Sequence, residues 1–282
     1  VFEHGGELVR GLVTLPCDLY RSYAVFEPSP VPVLTVAPAD RAKAFRAAAE
    51  TLAVLGRSYT GGHLYIESGA PLSRGFGSST SDVIATVRAV HDACGWVADG
   101  EVTARLAVAS EKASDSLMFE EHAVLFAQRS GFVVERLPAP LPPLAVLGFG
   151  TSQDGAGVPT LGMSPAVYGD AEVAAFAELR TSLREAVAAQ DAAGVGAVAW
   201  ESARINQRHL PVPGYADLES LAVRCGAVGL QVAHSGDIAG LMFDCADPAL
   251  GHRLDTAEAG LRELGVTSSW RFTTRGHGKD TP

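Results

Sequence analysis

Residues Pro71 to Val90 read PLSRGFGSSTSDVIATVRAV, and their reading decides the fold. The first part, Ser73 to Thr80, is glycine and hydroxyl residues around Arg74 and Phe76. The second part carries apolar side chains at Val83, Ile84, Val87 and Val90, an i, i+1, i+4, i+7 spacing that lines one face of a helix. A glycine-rich loop therefore opens directly into an amphipathic helix, expected from Ser79 to about Cys94 with Gly95 as its stop signal. Gly75 and Gly77 let the backbone turn tightly and leave amide N–H groups uncovered. The first helical turn adds unpaired N–H groups and the positive end of the helix dipole. Such a terminus binds phosphate. The hydroxyls of Ser78, Ser79 and Thr80 are suited to capping the helix, touching phosphate or ligating Mg²⁺. A Ser-capped helix after a plain glycine turn carries the same residues, and Arg74 is as readily an exposed loop arginine as a phosphate contact.

No lysine follows Gly77, so the loop is not a Walker A motif. The third glycine of a dinucleotide fingerprint is also missing. The segment PLSRGFGSSTSDV instead resembles the second motif of the GHMP kinases, whose usual form is Pro-x-x-x-Gly-Leu-Gly-Ser-Ser-Ala. Phe76 stands for the leucine here. The ending Thr80-Ser81-Asp82 is closer to the L-threonine kinases of cobalamin biosynthesis than to the mevalonate or galactose kinases.

The 282 residues, 47% hydrophobic and 19% charged, suffice for one large domain or two joined lobes. A net charge of −10 argues against nucleic acid or an acidic membrane surface as partner, but not against ATP. Cys17, Cys94, Cys225 and Cys245 are scattered without a C-x-x-C pair and read as free thiols in a reducing cytoplasm. No apolar run is long enough to span a membrane, and no signal peptide is visible. The chain opens on Val1 and is motif-like by Gly5, so native residues are expected to precede it.

Residues 1–37 read as strands and turns, with β-type Val9, Leu12, Val13 and Leu15 and a short strand from Tyr23 to Phe26. An alanine-rich helix is expected over 39–55, its Arg41, Lys43, Arg46 and Glu50 forming a solvated face. Leu64 to Glu67 alternates as a strand leading into the loop. A further helix begins at Glu101 and runs into Glu111-Lys112-Ala113-Ser114-Asp115-Ser116-Leu117-Met118-Phe119. Asp115, four residues after Glu111, is expected one helical turn along on the same face. Two charges at a helix end, or a Lys112–Asp115 ion pair, are the plain alternatives. Strands follow over Ala123–Gln128 and Phe132–Leu137, and PAPLPP (138–143) marks a lobe boundary. Leu144 to Phe149 reads as a buried strand. Helices are expected over Glu172–Ala189, Gly194–Gln207 and 215–225. A strand, glycine turn and strand fill 227–244, and an amphipathic helix and a short strand, Ser268 to Thr273, close the chain.

Five more segments carry the resemblance. Gly6-Glu7-Leu8 and Pro16-Cys17-Asp18-Leu19-Tyr20 are similar to the opening of the threonine-type kinases, with Pro and Cys inverted. Glu111, Asp115, Ser116 and Phe119 match their Glu-Pro-Thr-Asp-Ser segment and its following Phe. Asn206-Gln207-Arg208 and Ala233-His234-Ser235-Gly236 resemble their later elements. The resemblance implies an α+β fold of two lobes, a ribosomal-protein-like N-terminal lobe over 1–140 and a ferredoxin-like C-terminal lobe over 141–282. It implies transfer of the ATP γ-phosphoryl, with Mg²⁺, to a small hydroxyl-bearing acceptor, L-threonine first. Another hydroxy amino acid or amino alcohol is the first alternative, and a non-catalytic ATP- or metabolite-binding relative the second.

On the same ground Pro71, Arg74, Gly75, Phe76, Gly77, Ser78, Ser79 and Thr80 are expected at ATP, Ser79 and Glu111 at Mg²⁺, and Asp115 as the base that orients or deprotonates the acceptor. Glu7, Asp18, Tyr20, Asn206, His234 and Ser235 are expected at the acceptor. Asp18 would meet its ammonium group, or is a turn aspartate. Asn206 meets substrate or caps a helix. The expected setting is cytoplasmic, with a homodimer allowed by the resemblance.

Overall fold

A computed structural model describes residues 1–69, 76–151, 166–233 and 237–274. The first strands, β1 (Phe2–His4) and β2 (Glu7–Val9), form an antiparallel hairpin that turns at Gly5 and Gly6. Both glycines have positive φ, as a two-residue turn of matching twist requires. The chain then builds β3 (Ser22–Ser29), β4 (Leu34–Ala37), α1 (Ala42–Val54) and β5 (Gly61–Ser68). The three strands lie in the order β3-β5-β4. The β4/β5 pair is parallel, and α1 is the crossover that such a pair needs.

Two further helices, α2 (Ser78–Ala93) and α3 (Gly100–Glu111), and the hairpin β6 (Val124–Ala127) and β7 (Phe132–Arg136) complete this half. Period-2 alternation turns Phe26, Leu64 and Ile66 inward, onto Ala44, Ala48 and Leu52 of α1 and Val90 of α2. A second cluster joins Val83, Ile84 and Val87 of α2 to Ala104 and Ala107 of α3 and to Phe126. The central helix is thus gripped from two sides.

The other half is β8 (Leu144–Gly150), α4 (Asp170–Ala188), α5 (Ala192–Asn206), α6 (Tyr215–Cys225), β9 (Gly229–Val232), β10 (Ile238–Asp244), α7 (Leu250–Glu263) and β11 (Ser269–Thr273). Its sheet is antiparallel throughout, in the order β11-β8-β10-β9. That is the fourth-first-third-second order of a ferredoxin-like sheet, with extra helices between its first two strands. Leu147, Phe149, Leu230, Leu241 and Phe243 pack one face against α6 and α7. On the other face Leu144, Val146 and Met242 meet Ala186 and Val187 of α4 and Val195 of α5. Gly196 lets α5 lie on β9, because a Cβ there would fall 2.4 Å from the Val228 carbonyl oxygen. The rest of this face looks toward the N-terminal half.

The α+β class and the expected elements agree with the structure, most bounds within three residues. Strand β3 is longer than the expected Tyr23–Phe26, because it pairs with all of β5 from Ser22↔Ser68 to Ser29↔Gly61. Val13 and Leu15 join no strand, and Leu12 makes only an isolated bridge to Phe126. The expected solvated face of α1 holds at the exposed Arg46 and Glu50 and is corrected at Arg41 and Lys43. Arg41 pairs with the buried Asp82, Lys43 reaches the buried Glu111, and Arg46 Nε donates to the Ser110 carbonyl.

Candidate active site

Helix α2 begins at Gly77, which occupies the left-handed region at φ 68° and offers no side-chain cap. The first intrahelical bond is Ser81 N–H to Gly77 O at 2.9 Å. The amides of Ser78, Ser79 and Thr80 come before it, and their N–H groups point out of the helix end. The hydroxyls do not cap the helix. Ser79 Oγ donates to Glu111 Oε2 and Thr80 Oγ1 to Glu111 Oε1, both at 2.7 Å.

Glu111 is the last residue of α3, and Lys112 ends the helix in the left-handed region at φ 68°. Asp115 is therefore not one turn further along the same face. The segment after Lys112 instead folds back onto the start of α2. Asp115 N–H donates to Thr80 Oγ1 at 3.3 Å, and Ser116 Oγ donates to Thr14 Oγ1 at 2.9 Å. A Cβ on Gly77 would meet Asp115 Oδ2 at 2.9 Å, so the carboxylate lies directly against the loop backbone. Lys112 is exposed and makes no ion pair with Asp115 among the described residues. Glu111, only 3% exposed, is not a surface charge either.

Burial is the main cause that pushes the Asp115 carboxyl up to about 6, and the Glu111 charge adds to it. The Glu111–Ser79 pair suits a hard divalent cation. Both are oxygen donors, and 2.7 Å is near the roughly 2.9 Å that separates adjacent oxygens around an octahedral Mg²⁺. No cluster of three or more His, Cys, Asp or Glu side chains forms a metal cage among the described residues. Mg²⁺ does not ask for one, since it keeps most of its waters and binds one or two protein oxygens. Lys43 Nζ, 3.7 Å from Glu111 Oε2, already brings positive charge to this point.

A cavity of about 920 Å³ adjoins the site. The N-terminal half contributes Thr14, Tyr20, Phe76, Gly77 and Asp115, and the C-terminal half Asn206, Gln231 and Trp270. Phe76 joins the two halves, its ring centroid 5.1 Å from Tyr20 and 4.9 Å from Trp270.

Residues 42–119, from α1 through the folded-back segment, match the GHMP kinases N terminal domain. Across 89% of this chain and 84% of the other, the fold superposes on homoserine kinase from Cytophaga hutchinsonii with a TM-score of 0.68, at 17% identity. This stretch is thus similar to a GHMP kinase N-terminal domain, and the fold around it is similar to that of a homoserine kinase. Among curated relatives the chain is similar to the L-threonine kinase of Salmonella typhimurium, 28% identical over 94% of this chain and 87% of that protein. It is also similar to the L-threonine kinase of Citrobacter freundii, 29% identical over 64% of this chain and 61% of that protein.

Phe76, Gly77, Ser78, Ser79, Thr80, Glu111 and Asp115 come together around the start of α2. Tyr20 and Asn206 line the cavity. Asn206 ends α5 and is buried, yet its carboxamide has no hydrogen-bond partner among the described residues. Glu7 sits exposed on β2 opposite His4, away from the cavity lining. Asp18 is half-buried between Cys17 and Tyr20, and those two line the cavity while it does not. Pro71, Arg74, Gly75, His234 and Ser235 lie outside the described residues. Sequence reasoning missed Lys43, Thr14, Gln231 and Trp270. Lys43 was detectable only as a charge on an otherwise amphipathic helix, and the other three carried no local signal.

Proposed function

We propose that this protein transfers the γ-phosphoryl of ATP to the hydroxyl of a small molecule, with L-threonine the leading acceptor and O-phospho-L-threonine the product. The observation that carries this reading is the Asp115 carboxylate held against Gly77 at the start of α2, with Ser79 and Glu111 beside it. Two relatives named L-threonine kinase support the choice of acceptor. The exposed N–H groups at the start of α2 would hold the phosphates. Ser79 and Glu111 would hold Mg²⁺, which neutralises phosphate charge when bound. Asp115 takes the hydroxyl proton as the acceptor oxygen bonds to the γ-phosphorus. The bond from that phosphorus to the bridging oxygen breaks, ADP leaves, and Asp115 returns its proton to solvent. The lobes 1–140 and 141–282 would supply opposite walls of the cavity, and ATP supply would place the reaction in the cytoplasm. No helix among the described residues is long and apolar enough to cross a membrane.

The experiment is ATP consumption with a panel of hydroxy amino acids and amino alcohols, the product identified by phosphorus NMR. O-phospho-L-threonine formed with Mg²⁺ is expected. A different phosphorylated hydroxyl compound would move the acceptor but keep the kinase. Tight ATP binding without turnover on any acceptor would point instead to a non-catalytic binding protein.

A further inference from the structure

The share of the cavity wall given by the C-terminal sheet follows one row across it. Gln231 of β9 pairs with Gly240 of β10, Gly240 with Gly148 of β8, and Gly148 with Trp270 of β11. Directly opposed residues project from the same face of a sheet. The row therefore reads Gln-Gly-Gly-Trp, with a floor of two residues that carry no side chain. The flanking side chains fold over that floor. A Cβ on Gly148 would fall 2.3 Å from Trp270 Nε1, and one on Gly240 would fall 3.0 Å from Gln231 Nε2. Gln231, Gly148 and Trp270 line the cavity, and so does Asn206.

The Trp270 indole N–H and the carboxamides of Gln231 and Asn206 have no hydrogen-bond partner among the described residues. Asn206 is only 4% exposed. Buried polar groups are almost always paired, and leaving one unpaired is costly. Asn206 is buried, Gln231 and Trp270 are half-buried, and their polar atoms converge on one hollow where a ligand would complete the bonding. The Phe76 ring, 4.9 Å from that of Trp270, links this hollow to the phosphate loop.

We propose that the Gln231-Gly240-Gly148-Trp270 trough, with Asn206, is the subsite that anchors the carboxylate of the acceptor. The indole N–H is a donor only, so the group it meets must accept. A carboxylate offers about four acceptor positions and strengthens each bond by its charge. An ammonium group has donors alone and finds no complement in Trp270. The trough thereby separates hydroxy amino acids from amino alcohols that lack the carboxylate. It rests on the kinase reading only for calling this ligand the acceptor.

The test is calorimetric binding of L-threonine and of 1-amino-2-propanol to the full chain with a non-hydrolysable ATP analogue present. Trp270→Phe keeps an aromatic ring and removes the N–H, and Gly148→Ala displaces the indole from its seat. Each should weaken L-threonine at least about tenfold. Affinity for 1-amino-2-propanol and for the nucleotide analogue should stay within twofold. Unchanged L-threonine affinity in Trp270→Phe would overturn the proposal. So would an equal loss for both ligands, or a parent protein that binds L-threonine no better than the amino alcohol. The measurement needs no turnover. A parent protein that binds L-threonine in this pattern without phosphorylating it would remove the kinase reading and leave the subsite standing.

Discussion

Asp115 is placed where a carboxylate ionises with difficulty, and that is useful in a base. Its carboxyl, raised to about 6 by burial and by Glu111, is ionised at neutral pH yet still has affinity for a proton. The rate should climb with pH through about 6 and level off above it. Asp115→Asn should lower kcat at least about tenfold with little change in the KM for ATP, since a base acts in the transition state. Stability should move the other way. The folded state binds this proton more tightly than the unfolded chain, so the ionised form costs stability above about pH 6. Asp115→Asn should therefore raise the unfolding free energy at neutral pH by up to about 3 kcal/mol, and the gain should vanish below about pH 4. A variant that keeps kcat but melts lower would mean a structural role. Glu111→Gln keeps the side chain's shape, leaves an acceptor in place for only one of the two hydroxyls, and weakens the cation site. It should raise the Mg²⁺ concentration needed for half-maximal rate and cut turnover, and an unchanged Mg²⁺ dependence would remove Glu111 from the metal.

At the level of the elements, α2 works because its first turn is left open. Gly77 supplies a left-handed backbone and room for Asp115, and a β-branched residue denies both. Gly77→Val should lose nucleotide affinity more than about tenfold, measured by calorimetry, while circular dichroism stays near that of the parent. Asp82, one turn into α2, does different work. Its Oδ1 accepts from Ser22 Oγ at 2.6 Å, and its Oδ2 lies 3.6 Å from Arg41 Nη1. It therefore ties α2 to the start of β3 and the start of α1. Arg41 is largely buried, with no hydrogen-bond acceptor within reach of its Nε or Nη1 among the described residues. Removal of Asp82 would leave this cation with only the exposed Asp40 carboxylate, 4.0 Å from its Nε. Asp82→Ala should cost about 3 kcal/mol in denaturant unfolding. The motif Ser-Ser-Thr-Ser-Asp thus divides between chemistry at its serines and architecture at its aspartate.

Across the whole molecule, the cavity lies where the two halves meet, and charged contacts hold that meeting. Glu135 of β7 accepts from Arg180 Nε at 2.6 Å and from Arg184 Nε at 2.5 Å, both on α4. The bond from Arg184 is the main cause that holds the Glu135 carboxyl below the usual glutamate value, aided by Arg180. A depressed value means stabilisation that is present above the unfolded value and lost as pH falls. Glu135→Gln should lower the melting temperature by a few degrees at neutral pH. The difference should shrink in high salt, since the arginines are partly exposed, and again as pH falls below the ordinary glutamate range. A difference that persists in acid would assign it to packing.

How much of this was legible in the chain follows from the range of each interaction. Helix faces, glycine stops and strand alternation depend on neighbours within a few residues, so α2, α6 and β8 could be read directly from spacing. The loop that opens α2 was visible for the same reason, and the order of the motifs pointed to the superfamily. The Glu111–Asp115 relation was misread because one residue, Lys112, adopts a left-handed backbone that ends the helix. Nothing local marks a lysine for that conformation; the contacts of the next segment with Thr80, Gly77 and Thr14 select it. The α1 cations were read as solvent-facing because their partners, Asp82 and Glu111, lie 41 and 68 residues away in the chain. Gln231, Gly148 and Trp270 become neighbours only when the strands pair in register. The sequence by itself therefore determined the elements and the phosphate-loop motif, whose causes are local. Tertiary structure alone decided which charges are buried and which side chains share the cavity, because those depend on strand pairing and on the packing of one half against the other.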